Sequence, residues 1–394
     1  PICSGKHTNW SLVTNSKINL LSPGKTPMGN LQFLSFFINT IAAVLKHEAL
    51  LRASSVSASN DLRIGLHEAP SAILSIFIGK HLMQVLEELE NVSKGKLSPQ
   101  EKTDIKLNVI GKIPEILLDN TDENRTSPFA FTGNKFEFRT VGSKANCAKS
   151  ITVLNTIVAE QLFLFRDSVD ELIENKNMKK DDAIFNTLRE IITSIKDIFY
   201  ASENEKEKAE SLAKKKGLSN NKTTPEALPA YINESSIKLF ESLGVFSENE
   251  LQTRYQIDLE EYISSIQIES RTLGDLAQNH IIPTAIKYQN ILIENVKGIK
   301  EIYGSSFKEH ASEQILILER ISKHITEINS GIYAMVEARK KANVIKNHHK
   351  KAMAYCENIL PFLSSIRYHC DKLELTVDDE IWPMAKYREL LFIR

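Results

Sequence analysis

From about residue 166 onward strand signals nearly vanish and apolar residues recur at steps of three and four, which confines this part of the chain to packed amphipathic helices. Ile184, Leu188, Ile191, Ile195 and Ile198 form one such stripe; Ile315, Leu318, Ile321, Ile325, Ile328, Ile332 and Met335 form another, as antiparallel helices of a bundle do. Ser247-Glu248-Asn249-Glu250 is a capping-box pattern ahead of Leu251, Tyr255, Leu259, Tyr262 and Ile266, so a long helix is expected to begin there. Pro283 should kink or end it, and Thr284 to Tyr303 resumes the periodicity until Gly304. The charged run Glu203 to Lys216 reads as a projecting helix end and Leu218 to Pro229, with two prolines, as a loop. The apolar and aromatic ending, Trp382 to Arg394, is expected to dock rather than dangle.

Residues 1–165 have a different texture. Turn signals at Pro23-Gly24 and Pro27-Met28-Gly29, helical periodicity over Phe33 to Leu51, and a largely apolar run from Ala145 to Phe165 alternate with short strand-like stretches. The lysine-rich segment Asn91 to Lys112 reads as a surface excursion. The expected fold class is therefore α+β, with a mixed region over 1–165 and a helical domain over 166–394.

Charge and cysteine content narrow the function classes. The 49 basic and 50 acidic residues nearly cancel, so no nucleic-acid or anionic-membrane partner is indicated and any electrostatic function must be local. The apolar stretch Leu31 to Val44 contains Gln32, Ser35, Asn39 and Thr40, too short and too polar to span a bilayer. Four scattered cysteines without a C-x-x-C pair indicate neither a disulfide framework nor a zinc knuckle, and reduced thiols in a cytoplasm are the expectation. The chain opens at Pro1 without a methionine or a leader pattern and reads as a piece of a longer protein.

The stretch Asn124 to Ser143 carries the most chemistry. Side chains alternate across a strand, so Lys135, Glu137 and Arg139 share one face while Phe136 and Phe138 share the other. Such a row is either a wall for charged ligands or a solvated face laced with ion pairs. Ser4 to Leu12 places His7, Asn9 and Ser11 on one side of a second strand, offering an imidazole, an amide and a hydroxyl. Asp61 to Pro70 is a loop carrying Arg63 and Glu68, where the planar fork of an arginine suits a carboxylate. Ser22-Pro23-Gly24-Lys25-Thr26 ends like a Walker A loop but has Asn19 where the first glycine is needed; His47-Glu48 lacks a zincin's second histidine; and His348-His349 sits in a lysine-rich helix end.

Taken together, Gly-Lys-His-Thr-Asn-Trp-Ser-Leu (5–12), Gly-Leu-His-Glu-Ala-Pro-Ser-Ala-Ile (65–73), Asn-Arg-Thr-Ser-Pro-Phe-Ala-Phe-Thr-Gly-Asn-Lys-Phe-Glu-Phe-Arg (124–139) and Tyr-Arg-Glu-Leu-Leu-Phe-Ile-Arg (387–394) resemble the type III glutamine synthetases, in order and spacing over essentially the whole chain. The resemblance implies the distal half of the catalytic domain over 1–165, followed by a helical domain, with the family's N-terminal β-grasp domain and the first half of its catalytic sheet lying before Pro1. It implies His7 and Glu137 as ligands of a Mg²⁺ or Mn²⁺ ion beside ATP, and Asn9, Ser11 and Lys135 on the nucleotide side. Arg125 corresponds to the arginine facing the transferring phosphoryl group, Arg63 and Arg139 to glutamate-carboxylate contacts, and Glu68 to the flap glutamate that helps take a proton from ammonium. The implied partners are glutamate, ammonia and ATP, in a homo-oligomer that is a dodecamer in the family. The implied reaction phosphorylates the glutamate γ-carboxylate before ammonia attacks; the alternative is a non-catalytic helical assembly module retaining a partial site. The chain departs from the family in reading Ile2-Cys3-Ser4-Gly5 where Asn-Gly-Ser-Gly is usual.

Overall fold

The computed structural model describes residues 5–24, 27–65, 69–91, 127–142, 145–195, 199–200, 211, 215 and 217–391. Beyond Asn91, the surface excursion expected over Asn91 to Lys112 lies outside these residues, as does most of the helix end expected over Glu203 to Lys216. The fold is α+β, and the chain divides into two compact units, Pro1–Tyr255 and Gln256–Arg394. Position 165 lies inside a continuous helix, Ala148–Lys176.

The first unit is built on a five-stranded sheet of order β1-β4-β3-β2-β5, with β1 at Gly5–Trp10, β2 at Ile76–Phe77, β3 at Phe129–Phe131, β4 at Phe136–Val141 and β5 at Phe199–Tyr200. β4 is antiparallel to both β1 and β3, whereas β2 runs parallel to β3 and β5. Its helices are α1 (Pro27–Lys46), α2 (Glu48–Ala53), α3 (Ala58–Asp61), α4 (Lys80–Asn91), α5 (Ala148–Lys176), α6 (Lys180–Ile195), α7 (Thr224–Ala227) and α8 (Glu234–Ser242).

The phenylalanine face of β4 explains where the core sits. Phe136 is fully buried, opposite Phe131 on β3, and its ring lies 4.9 Å from that of Phe129 and 5.6 Å from that of Phe37 on α1. Phe37 also meets Phe131 edge-on at 4.9 Å and stacks on Phe33 at 5.3 Å, so one aromatic cluster fastens α1 to the sheet. Two buried polar residues of α1 are held by hydrogen bonds: Asn39 donates to the Ser35 carbonyl and accepts from Gln161 of α5, and Thr40 donates to the Phe36 carbonyl. At the sheet edge, Trp10 donates its indole N–H to Asn155 of α5 at 2.8 Å. No helix among the described residues is long and apolar enough to cross a membrane.

The stretch Leu218 to Pro229 is not a loop throughout. Thr223 and Glu226 close a capping box over α7, whose first turn accepts Pro225, and a 3₁₀ helix, Leu228–Ile232, follows with Pro229 near its start. Both prolines occupy first-turn positions, where a missing N–H costs nothing.

The second unit is helical. α9 (Glu248–Leu276), which begins in the first unit, starts at the expected capping box, where the Ser247 N–H donates to Glu250 at 2.8 Å. A π-helical turn, Ala277–Ile281, leads into α10 (Ile282–Tyr303), so Pro283 neither ends the helical path nor breaks it: the widened turn absorbs the proline at the first turn of α10. Gly304, at φ +57°, terminates α10 as expected. α11 (Phe307–His310), α12 (Ser312–Asn343), α13 (His348–Asn358), α14 (Leu360–Glu374) and α15 (Tyr387–Leu390) complete it. Ile321, Ile328, Ile332 and Met335 are buried along α12, which packs on α14. At the C-terminal end Trp382 is buried and Lys386 donates to the carbonyls of Glu374 and Val377, whereas Leu390 and Leu391 are exposed.

Candidate active site: one wall of charged residues

The antiparallel pairing of β1 with β4 sets the geometry. Its register places His7 opposite Arg139 and Asn9 opposite Glu137, so the face of β4 turned away from the phenylalanines continues onto β1. His7 and Asn9 are exposed while Thr8 and Trp10, between and after them, are buried. Lys135 lies just before β4, in the turn that reverses the chain from β3, where the Thr132 N–H donates to the Lys135 carbonyl and Gly133 supplies φ +84°.

Glu137 is the hub. Arg139 donates to its Oε2 from Nη2 at 3.0 Å and from Nε at 3.2 Å; His7 Nδ1 stands 3.7 Å from the same oxygen, and Lys135 Nζ 4.0 Å from Oε1. The exposures differ sharply along this row. The Arg139 side chain is 1% exposed and Glu137 14%, against 44% for His7 and 39% for Lys135. Arg139 is therefore held as a buried, carboxylate-paired cation, while His7 and Lys135 bring solvent-facing donors to a half-covered carboxylate.

Ser11 lies one residue beyond β1. Its hydroxyl contacts Asn19 Oδ1 at 2.7 Å and the Asn134 carbonyl at 3.1 Å, and Asn19 donates to that carbonyl at 2.8 Å. These bonds fix the turn that presents Lys135, so Ser11 acts on the wall's shape. Arg63 is exposed in the turn after α3, and its neighbour Ile64 lines a cavity together with Arg139, Arg52, Asn60, Ser71 and Thr140. Glu68 and Arg125 lie outside the described residues.

Sequence reasoning missed the polar groups beneath this cavity. Arg52 and Asn60 are buried, and Arg52 donates to the Asn221 carbonyl at 3.2 Å. Burial is the main cause that lowers the Arg52 guanidinium to about 10, with Asp61 and Glu226 opposing it. Glu48 accepts from the Ser219 N–H and hydroxyl, and Asp61 from those of Thr224, so α2 and α3 clip the 219–224 segment in place. The usable signal was the spacing of Glu48 and Arg52 at four residues on one helix face.

A second buried polar group joins α1, α2 and α5. His47 Nε2 donates to Glu160 Oε2 at 2.7 Å, and Lys46 Nζ reaches the same oxygen at 2.8 Å. Burial, the largest cause, holds the His47 imidazole below its ordinary 6.5, against the pull of Glu160. Desolvation raises Glu160, but hydrogen bonds and charges from Lys46 and His47 outweigh it and leave the carboxyl below its ordinary range. Both folded values are depressed, so both groups stabilise the fold fully at neutral pH. That stabilisation is lost as pH falls below about 6.5 for His47 and below about 4.5 for Glu160. Denaturant midpoints measured from pH 7 down to 5 are expected to fall, and His47→Gln is expected to flatten part of that slope.

The donor chemistry bears on a divalent ion. His7 and Glu137 supply one nitrogen and one oxygen 3.7 Å apart on adjacent strands, close to the spacing of two ligands on one small cation. No group of three or more His, Cys, Asp or Glu that could hold a metal occurs among the described residues. The pair by itself supplies two donors, fewer than the shell of a divalent ion takes.

Residues 183–300 match the family model of the glutamine synthetase C-terminal domain. A glutamine synthetase of Bacteroides fragilis is 48% identical over 99% of this chain and 54% of its own length; a type-3 glutamine synthetase of Dictyostelium discoideum is 37% identical over 99% and 53%. A glutamine synthetase of Butyrivibrio fibrisolvens is 31% identical over 99% and 54%. The chain is related over nearly its whole length to glutamine synthetases and spans about half the length of the curated relatives it matches.

Proposed function

We propose that this chain furnishes one wall of a glutamine synthetase active site, of the kind that makes glutamine from glutamate, ammonia and ATP. The observation that carries this reading is the convergence of His7, Lys135 and Arg139 on Glu137 across two paired strands, within a chain related over nearly its whole length to glutamine synthetases.

Each side chain then has a task. His7 and Glu137 hold part of the shell of a Mg²⁺ or Mn²⁺ ion, which when bound screens the charge of the ATP phosphates. Lys135 and Asn9 stand on the nucleotide side. Arg139, buried and forked onto Glu137, stands on the side of the glutamate carboxylate and sets the position of Glu137, with the exposed Arg63 as a second cation. Arg125 meets the negative charge that spreads over the transferring phosphoryl oxygens, and Glu68 takes a proton from ammonium. The proposed organisation is a catalytic portion followed by a helical C-terminal domain, working in a cytoplasmic homo-oligomer.

The two metal donors found among the described residues do not complete such a site. The purified 394-residue chain is therefore expected to form no glutamine and to catalyse no γ-glutamyl transfer. ATP-dependent turnover by the chain alone would contradict that expectation.

A further inference from the structure

In the second unit, far along the sequence from the charged strands, two histidines meet across a helix pair. His324 of α12 and His369 of α14 approach Nδ1 to Nδ1 at 2.9 Å, their rings 5.2 Å apart and inclined at 50°. Both are partly exposed. At this distance one nitrogen must carry the proton and the other must offer a lone pair, because two N–H groups would collide donor to donor. The bridging position thus already demands an electron-pair acceptor.

We infer that His324 and His369 form a two-imidazole site for a borderline divalent transition ion, such as Zn²⁺, Ni²⁺ or Cu²⁺, that bridges α12 and α14 in place of the shared proton. The distance itself supports the assignment. Two imidazole nitrogens each about 2.05 Å from one ion lie about 2.9 Å apart at a right angle and about 3.3 Å apart at a tetrahedral angle. A change of tautomer to Nε2–H on one ring frees the second lone pair, and because the two nitrogens now face each other almost head-on, each ring turns by some tens of degrees to aim its lone pair at the ion. Water would fill the remaining positions.

The surroundings act in two directions. Arg320, Lys323 and Lys372 lie close enough to influence His324, and their charge opposes a dication. Burial first, then His369 and these cations, holds His324 below its ordinary value, so the imidazole is neutral and available as a ligand at pH 7. Arg367 is paired with Asp371 on the outer side of α14, and Tyr368 meets His369 edge-on at 5.2 Å while Lys372 covers the Tyr368 ring. Cys370 is buried and its thiol is pushed up to about 11 by burial, which removes it as a competing thiolate. Imidazole nitrogen without carboxylate selects the borderline metals over Mg²⁺ or Ca²⁺.

Calorimetric titration with NiCl₂ and with ZnCl₂, and the electron-spin-echo spectrum of added Cu²⁺, test the assignment in a parent that is the full chain carrying His7→Ala, which takes the nitrogen donor from the separate His7–Glu137 pair. A saturable single-site isotherm is expected, together with two equatorial imidazoles on Cu²⁺. His324→Gln and His369→Gln should each abolish the isotherm and leave one imidazole, whereas the double change His348→Gln with His349→Gln should leave both readouts intact. Far-UV circular dichroism identifies any variant that fails to fold, in which case the imidazole count in the parent decides. No binding to the parent, one imidazole there, or binding that survives His369→Gln in a folded protein would overturn the proposal.

Discussion

Glu137→Ala should be among the most damaging single substitutions in the first unit, lowering stability by about 3 kcal/mol, because it strips the carboxylate from a buried arginine. Arg139 is 1% exposed and directs both Nε and Nη2 to one oxygen of Glu137. The coulombic attraction of the pair is offset by desolvation while both partners remain, so the loss arises chiefly from leaving the guanidinium in a site that water does not reach. Glu137→Gln keeps an acceptor of the same shape and should recover part of the loss. Urea midpoints of the parent and the two variants check the order: parent, then Gln, then Ala. Equal midpoints for all three would mean that Arg139 draws its compensation from elsewhere.

Phe136→Ala should cost a similar amount, about 3–5 kcal/mol, for a different reason. The ring is fully buried and touches three others, those of Phe37, Phe129 and Phe131, at 4.9 to 5.6 Å. Truncation leaves a cavity in the aromatic cluster that joins α1 to β3 and β4, where the neighbouring rings are locked by each other and cannot collapse inward. Phe136→Leu retains most of the volume and should cost less than half as much. Since β4 carries Glu137 and Arg139 on its other face, Phe136→Ala should also weaken any metal or nucleotide binding, without touching either ligand.

Some of this was legible in the sequence because the information is local. The alternation from Lys135 to Arg139 fixed which side chains share a face, and the Ser247–Glu250 capping box and Gly304 marked helix ends, since those patterns depend on residues within a few positions of one another. What was not legible depends on partners far away in the chain. Arg139 belongs to a charged row yet is buried, which follows only once β1 lies against β4 in the register that sets His7 opposite it. His47 and Glu48 offered no motif, but Glu160 and Ser219, brought in by tertiary packing, make them a buried network. Pro225 and Pro229 signalled a loop because proline ends helices as readily as it begins them. The placement of His324 beside His369 likewise needs the pairing of α12 with α14.

For the candidate site, the resemblance supplied more than periodicity could. Alternation alone left a ligand wall and a solvated face as equal readings, and the geometry separates the members of the row. Ser11 holds the turn before β4, Arg139 is locked onto Glu137, and His7, Asn9 and Lys135 reach solvent.

The proposed metal and nucleotide wall is tested most directly by the melting temperature of the purified chain with and without MnCl₂ and ATP, measured for the parent and for His7→Ala. His7 is exposed, so its removal should leave the unliganded melting temperature unchanged. Ligand binding to the folded state alone raises that temperature. A rise is expected in the parent with both ligands and is expected to be lost in His7→Ala; no rise in the parent, or an equal rise in the variant, would contradict the proposed wall.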